Sequence, residues 1–311
     1  MIDNFSMDEE IRCEFLVNME RKHIWAIELD LLTELQRVCN KYNLKCFAIG
    51  GTLLGTIRHK GFIPWDDDLD VGLSRKDYDK LCEVAGIEFK YPYFFQTALT
   101  DRNYFIGSAR LRNANTTGII KGFDQHKYNN GIFIDIYVYD EMPDKELQIK
   151  KHIKRLNRLS FLLNNYYYIN ASSRNGAVVA MLIMWFVRLL FSYEKLFDIY
   201  KKQCTKYSNT SGKLGLFCIP TFINYLASQK GISNLLEKPF ENTSILVPAD
   251  YDYMLTSAYN NYMSFPPVDK RGKWHEDIIV FDPNIPFTEY YLRHKEQYSD
   301  VIKEYNQLMN D

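Results

Sequence analysis

No apolar run in these 311 residues reaches the length of a bilayer span. The strongest candidate, residues 176–187, lasts 12 residues before Arg188 interrupts it, against the roughly 20 that a spanning helix needs. Residues 176–191 therefore read as a buried core helix, with a helix resting on a membrane surface as the alternative. The six cysteines contain neither a CxxC pair nor a dense framework, so they read as reduced thiols of a cytoplasmic protein. The start, MIDNFSMDEEIRCEF, lacks the basic opening and apolar centre of a secretory signal. Glycine (15) and proline (10) are scarce, which excludes collagen-like and low-complexity character, and no internal repeat is visible. An excess of charge of either sign is also missing: 38 basic residues against 39 acidic ones leave a formal charge of −1, so nothing in the whole-molecule field points to nucleic acid as a partner. What is plentiful is aromatic. The 23 Tyr, 20 Phe and 4 Trp provide apolar surface with polar tips, or rings for a cation.

Apolar residues recur at helical spacing over residues 7–42, which predicts one or two amphipathic helices. Residues 46–49 then form a short apolar run stopped by Gly50-Gly51, and residues 52–58 resume helical spacing, giving strand, glycine turn, helix. Residues 69–73 and 131–138 read as strands and 75–84 as a helix, so the expected class is α+β with a small mixed sheet. Residues 144–235 turn helical, and residues 236–311 read as loops and short helices. Three segments follow: a core with its N-terminal helix at 1–143, a helical accessory region at 144–235 on the acceptor or membrane side, and a C-terminal segment at 236–311 packing back on the core. Within the second, Lys150, Lys151, Lys154, Arg155 and Arg158 alternate with Ile149, Ile153, Leu156 and Leu159, a basic amphipathic helix.

The densest chemical signal is Asp66, Asp67, Asp68 and Asp70. Four carboxylates within five residues cost stability unless solvated or neutralised by a cation. On a strand, Asp68 and Asp70 project from one face while Leu69 and Val71 enter the core, which presents two oxygen ligands side by side and suits Mg²⁺, with Mn²⁺ as a substitute. A solvated acidic loop is the alternative. Gly50, Gly51 and Thr52 follow a strand and open a helix, so their N–H groups are available to a phosphate. Arg58, His59 and Lys60 close that helix, where a cation also offsets the dipole. Asp135, between Ile134 and Ile136, is expensive to bury unpaired and is the candidate third ligand. Arg110 and Arg112 are spaced to project together toward the same site or to make surface ion pairs.

The string GGTLLGTIRHKGFIPWDDDLDVGLSRKDYDKL at 50–81 resembles the signature of the LicD family, which includes bacterial phosphocholine transferases and fukutin-related proteins within the nucleotidyltransferase (polymerase β-like) superfamily. GIFIDIYVYD at 131–140 extends the resemblance, and YMSFPPVDKRGKWHE at 262–276 does so more loosely, with Tyr259-Asn260 where family members carry Tyr-Gly. The resemblance implies a nucleotidyltransferase-like fold, a metal-binding triad of Asp68, Asp70 and Asp135, and Gly50-Gly51 as the phosphate cradle. It further implies Mg²⁺-dependent transfer of phosphocholine from CDP-choline to a sugar hydroxyl of a cell-surface glycan or teichoic acid precursor, lipid-linked or free, with CMP leaving. Asp135 would ligate a metal beside the acceptor hydroxyl or accept its proton, and Arg58 and Lys60 would stabilise phosphoryl charge. Arg110 and His275 join the expected donor-binding set, with Arg271 nearby. A choline group would need a ring cage, and Trp65, Tyr104, Tyr137 and Trp274 lie near the motifs. Transfer of glycerol phosphate or ribitol phosphate from the CDP-polyol is the close rival, followed by a nucleotidyltransferase proper and an inactive nucleotide-binding scaffold. A peripheral contact with the inner face of the cell membrane is expected from the basic helix.

Overall fold

The computed structural model describes residues 5–101, 105–121, 128–167, 174–207, 212–218, 225–271 and 278–297. The chain opens with a hairpin, β1 (Glu10–Arg12) and β2 (Phe15–Val17), and not with a helix. Cys13 and Glu14 both hold positive φ, the conformation of a tight two-residue turn. Ion pairs from Glu10 to Lys22 and from Arg12 to Glu241 fasten the hairpin to the body. Helix α1 (Met19–Lys41) then starts where the Asn18 side chain accepts the Arg21 N–H. It buries Ile24, Trp25, Leu29, Leu32, Leu35 and Val38.

Strand β3 (Cys46–Ala48) and helix α2 (Gly50–His59) follow, then β4 (Asp70–Ser74) and α3 (Arg75–Glu88), whose Ser74 cap accepts the Asp77 N–H. Next come β5 (Tyr93–Gln96), β6 (Ala109–Asn113), β7 (Thr117–Ile120) and the long β8 (Ile132–Glu141). Helices α4 (Glu146–Asn164), α5 (Arg174–Leu190) and α6 (Tyr193–Cys204) precede the short strands β9 (Lys213–Gly215) and β10 (Ala227–Ser228) and helix α7 (Gln229–Ser233). The end of the chain is more regular than its composition suggested. It holds a hairpin, β11 (Leu235–Phe240) and β12 (Thr243–Pro248), helix α8 (Tyr251–Tyr259), strand β13 (Ile278–Asp282) and helix α9 (Phe287–Arg293).

Among the described residues seven strands make one mixed sheet, and β8 is its axis. It runs parallel to β4 on one side, while on the other its first half pairs antiparallel with β6 and its last residues with β9. The strand is buried along almost its whole length, which is why GIFIDIYVYD reads as a nearly continuous apolar run. Strands β9 and β10 lie within residues 144–235 yet pair into this sheet, so that segment is not purely helical. The fold is a mixed sheet flanked by helices, as the α+β expectation had it. The six cysteines form no disulfide.

The described residues hold two main apolar clusters. The larger packs α1, α2 and α3 around the sheet, and the smaller gathers Leu156 and Leu163 of α4 with Tyr193, Leu196 and Tyr200 of α6 and with Phe105 and Phe217. The expectation of a buried core helix at residues 176–191 does not hold. Ala180 and Met184 are buried and Val187 packs inward, but Val179, Leu182, Trp185, Phe186, Leu189 and Leu190 are exposed. One packed stripe satisfies the helix, and nothing among the described residues covers the rest of it.

Candidate active site

Sheet register builds the site. Parallel pairing sets Asp70 of β4 opposite Asp135 of β8, and antiparallel pairing sets Arg110 of β6 opposite Asp135 on the other side. Neighbouring strands lie about 4.8 Å apart, so the three side chains form one row across one face. Arg110 Nε donates to Asp135 Oδ1 at 2.7 Å, and its guanidinium rests 3.9 Å from the Phe133 ring centre. Arg112 does not share this role: it is fully buried, donating to Gln96 Oε1 and to the Gly131 carbonyl. Asp140, further along β8, is neutralised by a two-pronged bond from Arg75 at 2.8 and 2.6 Å. The strand thus carries one structural aspartate and one that opens onto a cavity.

That cavity measures about 440 Å³ and is lined by Gly50, Gly51, Asp66, Asp67, Asp68, Asp70, Arg110 and Asp135, with Glu28, Tyr137, Tyr225 and Tyr259 among the remaining walls. Asp68 lies just before β4 and not within it, yet it faces the same space. Burial, followed by the charges of Asp66, Asp70, Glu28 and Asp67, pushes its carboxyl well above the usual carboxylate range. The acidic loop is held from behind by α1, where Arg21 and Trp25 donate to the Asp66 carbonyl.

The N-terminus of α2 supplies the opposing wall. Gly50 has φ of +54°, and a Cβ there would stand 3.1 Å from Asp70 Oδ2, while one on Gly51 would stand 2.6 Å from Asp66 Oδ2. The positive φ favours glycine at Gly50, and the helix start lies close against two carboxylates. The positive end of the helix stabilises negative charge at this point. Thr52 serves the frame instead of the cavity, its buried hydroxyl accepting the Asp70 N–H at 2.7 Å.

Arg58 and Lys60 are not brought to this site. They follow Gly51 by seven and nine residues along α2, at about 1.5 Å per residue, and so end up at its far end. Arg58 donates to the carbonyls of Tyr262 and Ser264 and stacks on Phe265, and Lys60 is an exposed left-handed cap. Arg58 lines a neighbouring hollow of about 350 Å³ that shares Gly51, Asp66 and Tyr259 with the acidic cavity, and there Trp65 meets Phe265 edge-on and takes Arg271 over its face. His275, Tyr104 and Trp274 lie outside the described residues. Of the two described rings named from the motifs, Tyr137 lines the acidic cavity and Trp65 does not.

Three contributors escaped the sequence reading. Tyr225 and Tyr259 meet edge-on at a ring separation of 6.1 Å, their hydroxyls 3.2 Å apart, beside Gly50. Glu28 comes from the middle of α1 and is only 1% exposed, with Oε2 lacking any hydrogen-bond partner among the described residues. Burial and the charges of Asp67, Asp66 and Asp70 raise its carboxyl well above the usual range, and Arg21 only partly offsets them. Its one sequence signal was a glutamate on the apolar side of α1, between Trp25 and Leu32.

This collection of hard oxygen donors, with an orphaned carboxylate oxygen among them, fits a divalent cation. Among the described residues no three acidic, histidine or cysteine side chains converge closely enough to enclose an ion. Magnesium is commonly held by one or two carboxylates, water and substrate phosphate oxygens, so the arrangement suits a cation shared with a phosphorylated substrate. Asp68 and Asp70, with Asp135 across the row, are the residues able to hold it.

Residues 43–162, from just before β3 to near the end of α4, match the family model described as "LicD/FKTN/FKRP, nucleotidyltransferase domain". These residues carry a LicD-type nucleotidyltransferase domain. The chain is 26% identical over 250 residues to the lipopolysaccharide cholinephosphotransferase LicD of Haemophilus influenzae, covering 79% of this chain and 92% of that protein. It is also 31% identical over 115 residues to an uncharacterised protein of Rickettsia prowazekii, covering 37% of this chain and 39% of that one. The matched domain holds every candidate carboxylate except Glu28, which α1 contributes from outside it.

Proposed function

We propose that this chain is a phosphotransferase that moves phosphocholine from CDP-choline to a sugar hydroxyl of a surface-glycan acceptor, releasing CMP. The observation that carries the reading is the row Asp70, Asp135, Arg110 facing the glycine start of α2 across the acidic cavity. The family and the name of the Haemophilus influenzae relative supply the group transferred.

Backbone N–H groups of Gly50 and Gly51 bind donor phosphate, helped by the helix dipole. Asp68 and Asp70 would hold a divalent cation shared with the donor phosphates, which would offset the charge of the diphosphate and of departing CMP. Arg110 keeps the Asp135 carboxylate pointed into the cavity. Asp135 is thereby placed to orient the acceptor hydroxyl and take its proton as the new P–O bond forms and the bond to CMP breaks. Tyr137, Tyr225 and Tyr259 present rings and hydroxyls to the alcohol end, and rings hold a quaternary ammonium by about 0.5–2 kcal/mol each.

The deciding experiment incubates the protein and a sugar acceptor with CDP-choline, CDP-glycerol or CDP-ribitol, with and without Mg²⁺ or Mn²⁺, and measures CMP. Metal-dependent CMP release from CDP-choline is expected. CMP from a polyol donor alone would replace phosphocholine with that polyol phosphate, and pyrophosphate release from a nucleoside triphosphate would overturn the reaction class. Metal-dependent CDP binding with no turnover of any donor would leave a binding scaffold.

A further inference from the structure

Helix α5 is the most apolar of the described helices, RNGAVVAMLIMWFVRLL, and the fold leaves it open: Leu182 is 66% exposed, Trp185 64% and Phe186 58%. Single exposed apolar residues are ordinary, but a continuous face of large ones marks a surface made to be covered. At about 1.5 Å per residue, 17 residues reach only about 26 Å, and no described helix is long and apolar enough to cross a membrane. Beside α5 runs a groove of about 730 Å³, where Lys150, Lys154 and Arg158 of α4 stand next to Ile153, Phe161 and Ile183. Helix α4 bears five lysines and arginines against one carboxylate.

We propose that α5 and the basic face of α4 together form a docking surface for an anionic lipid bilayer. The helix lies in the plane of the interface, its leucines and rings at the boundary of headgroups and acyl chains, while Lys150, Lys154 and Arg158 meet lipid phosphates. Charge selects this occupant over a second copy of the chain. A two-fold contact through α5 would bring two copies of the five-cation helix together, whereas an anionic bilayer complements both the apolar face and its basic border. The proposal stands whichever phospho-alcohol the catalytic site transfers.

The test floats the full-length chain with vesicles of phosphatidylcholine alone or mixed with phosphatidylglycerol at low salt, and follows tryptophan emission. Expected are flotation with the mixed vesicles, a blue shift that Trp185→Phe abolishes, and loss of both as salt rises. Reversing Lys150, Lys154 and Arg158 to glutamate is expected to lower partitioning on the order of 100-fold, and Leu182→Ser with Phe186→Ser to lower it further, both at an unchanged unfolding midpoint. Failure to float at low salt, or equal flotation of the charge-reversed variant, would overturn the proposal. So would a concentration-dependent dimer that shifts Trp185 emission without lipid.

Discussion

The sheet around β4, β6 and β8 and the helices α4 to α6 treat the same amino acids in opposite ways. The sheet buries charge: Asp135 and Arg110 are nearly inaccessible, Glu28 lies on a helix packed behind them, and Arg75 clamps Asp140. Helix α5 exposes apolar surface that the sheet region would enclose. Both choices cost stability unless something offsets them. On the proposed reading, a cation and a phosphate offset the buried carboxylates, and a lipid surface covers the exposed leucines and tryptophan. Departure from ordinary burial therefore points to the two proposed sites more directly than composition does.

The sharpest way to break this comparison is to remove one charge from the row. Asp70→Asn or Asp135→Asn is expected to lower CMP release on the order of 10³-fold while leaving the fold intact, since catalytic charge-stabilising groups contribute at that level. Unchanged rates would make the acidic cavity a structural feature only. A smaller effect comes from the close approach at α2. Gly51→Ala places a methyl against Asp66 Oδ2, and the displaced carboxylate or helix start should cost about 100-fold in turnover with little change in far-ultraviolet circular dichroism.

The mildest test probes the helical region. His152 is buried against Phe217 with its Nδ1 2.8 Å from Gln203 Nε2, and burial followed by Lys206 and Arg155 lowers its pKa to about 4. The folded form keeps it neutral while the unfolded chain titrates near 6.5, so the stability it confers is complete above pH 6.5 and is lost as pH falls toward 4. Hydrogen-exchange protection factors in α4 and α6, taken relative to the intrinsic rate at each pH, should fall over that window by an amount equivalent to about 1–2 kcal/mol, and more than those in β8. An equal fall in both would mean that the two regions unfold as one.

Much of the site was legible because it is local. Gly50-Gly51 after an apolar run, Asp68-Leu69-Asp70-Val71, and Ile134-Asp135-Ile136 each declare a strand or turn within a few residues, and alternation assigns their faces. Sequence proximity misled where a helix intervened. Arg58 and Lys60 follow the glycines closely in the chain, but α2 carries them to its far end. The N-terminal segment misled differently, since Ile11 and Phe15 fit a helical period while the turn at Cys13-Glu14 makes them hairpin residues. Glu28, Tyr225 and Tyr259 were invisible because nothing local distinguishes a glutamate or tyrosine that packs beside a distant aspartate.

The sequence by itself determined the α+β class, the LicD resemblance of the core, the order of glycine turn and acidic strands, and the basic character of residues 150–158, because all of these follow from short-range pattern. Tertiary structure alone decided which charges meet, since the register of β4, β6 and β8 joins residues 25 to 65 positions apart into one row. It also decided which side of α5 stays open. Apolar composition says only that a helix will avoid water, and packing determines whether protein or another surface provides the cover.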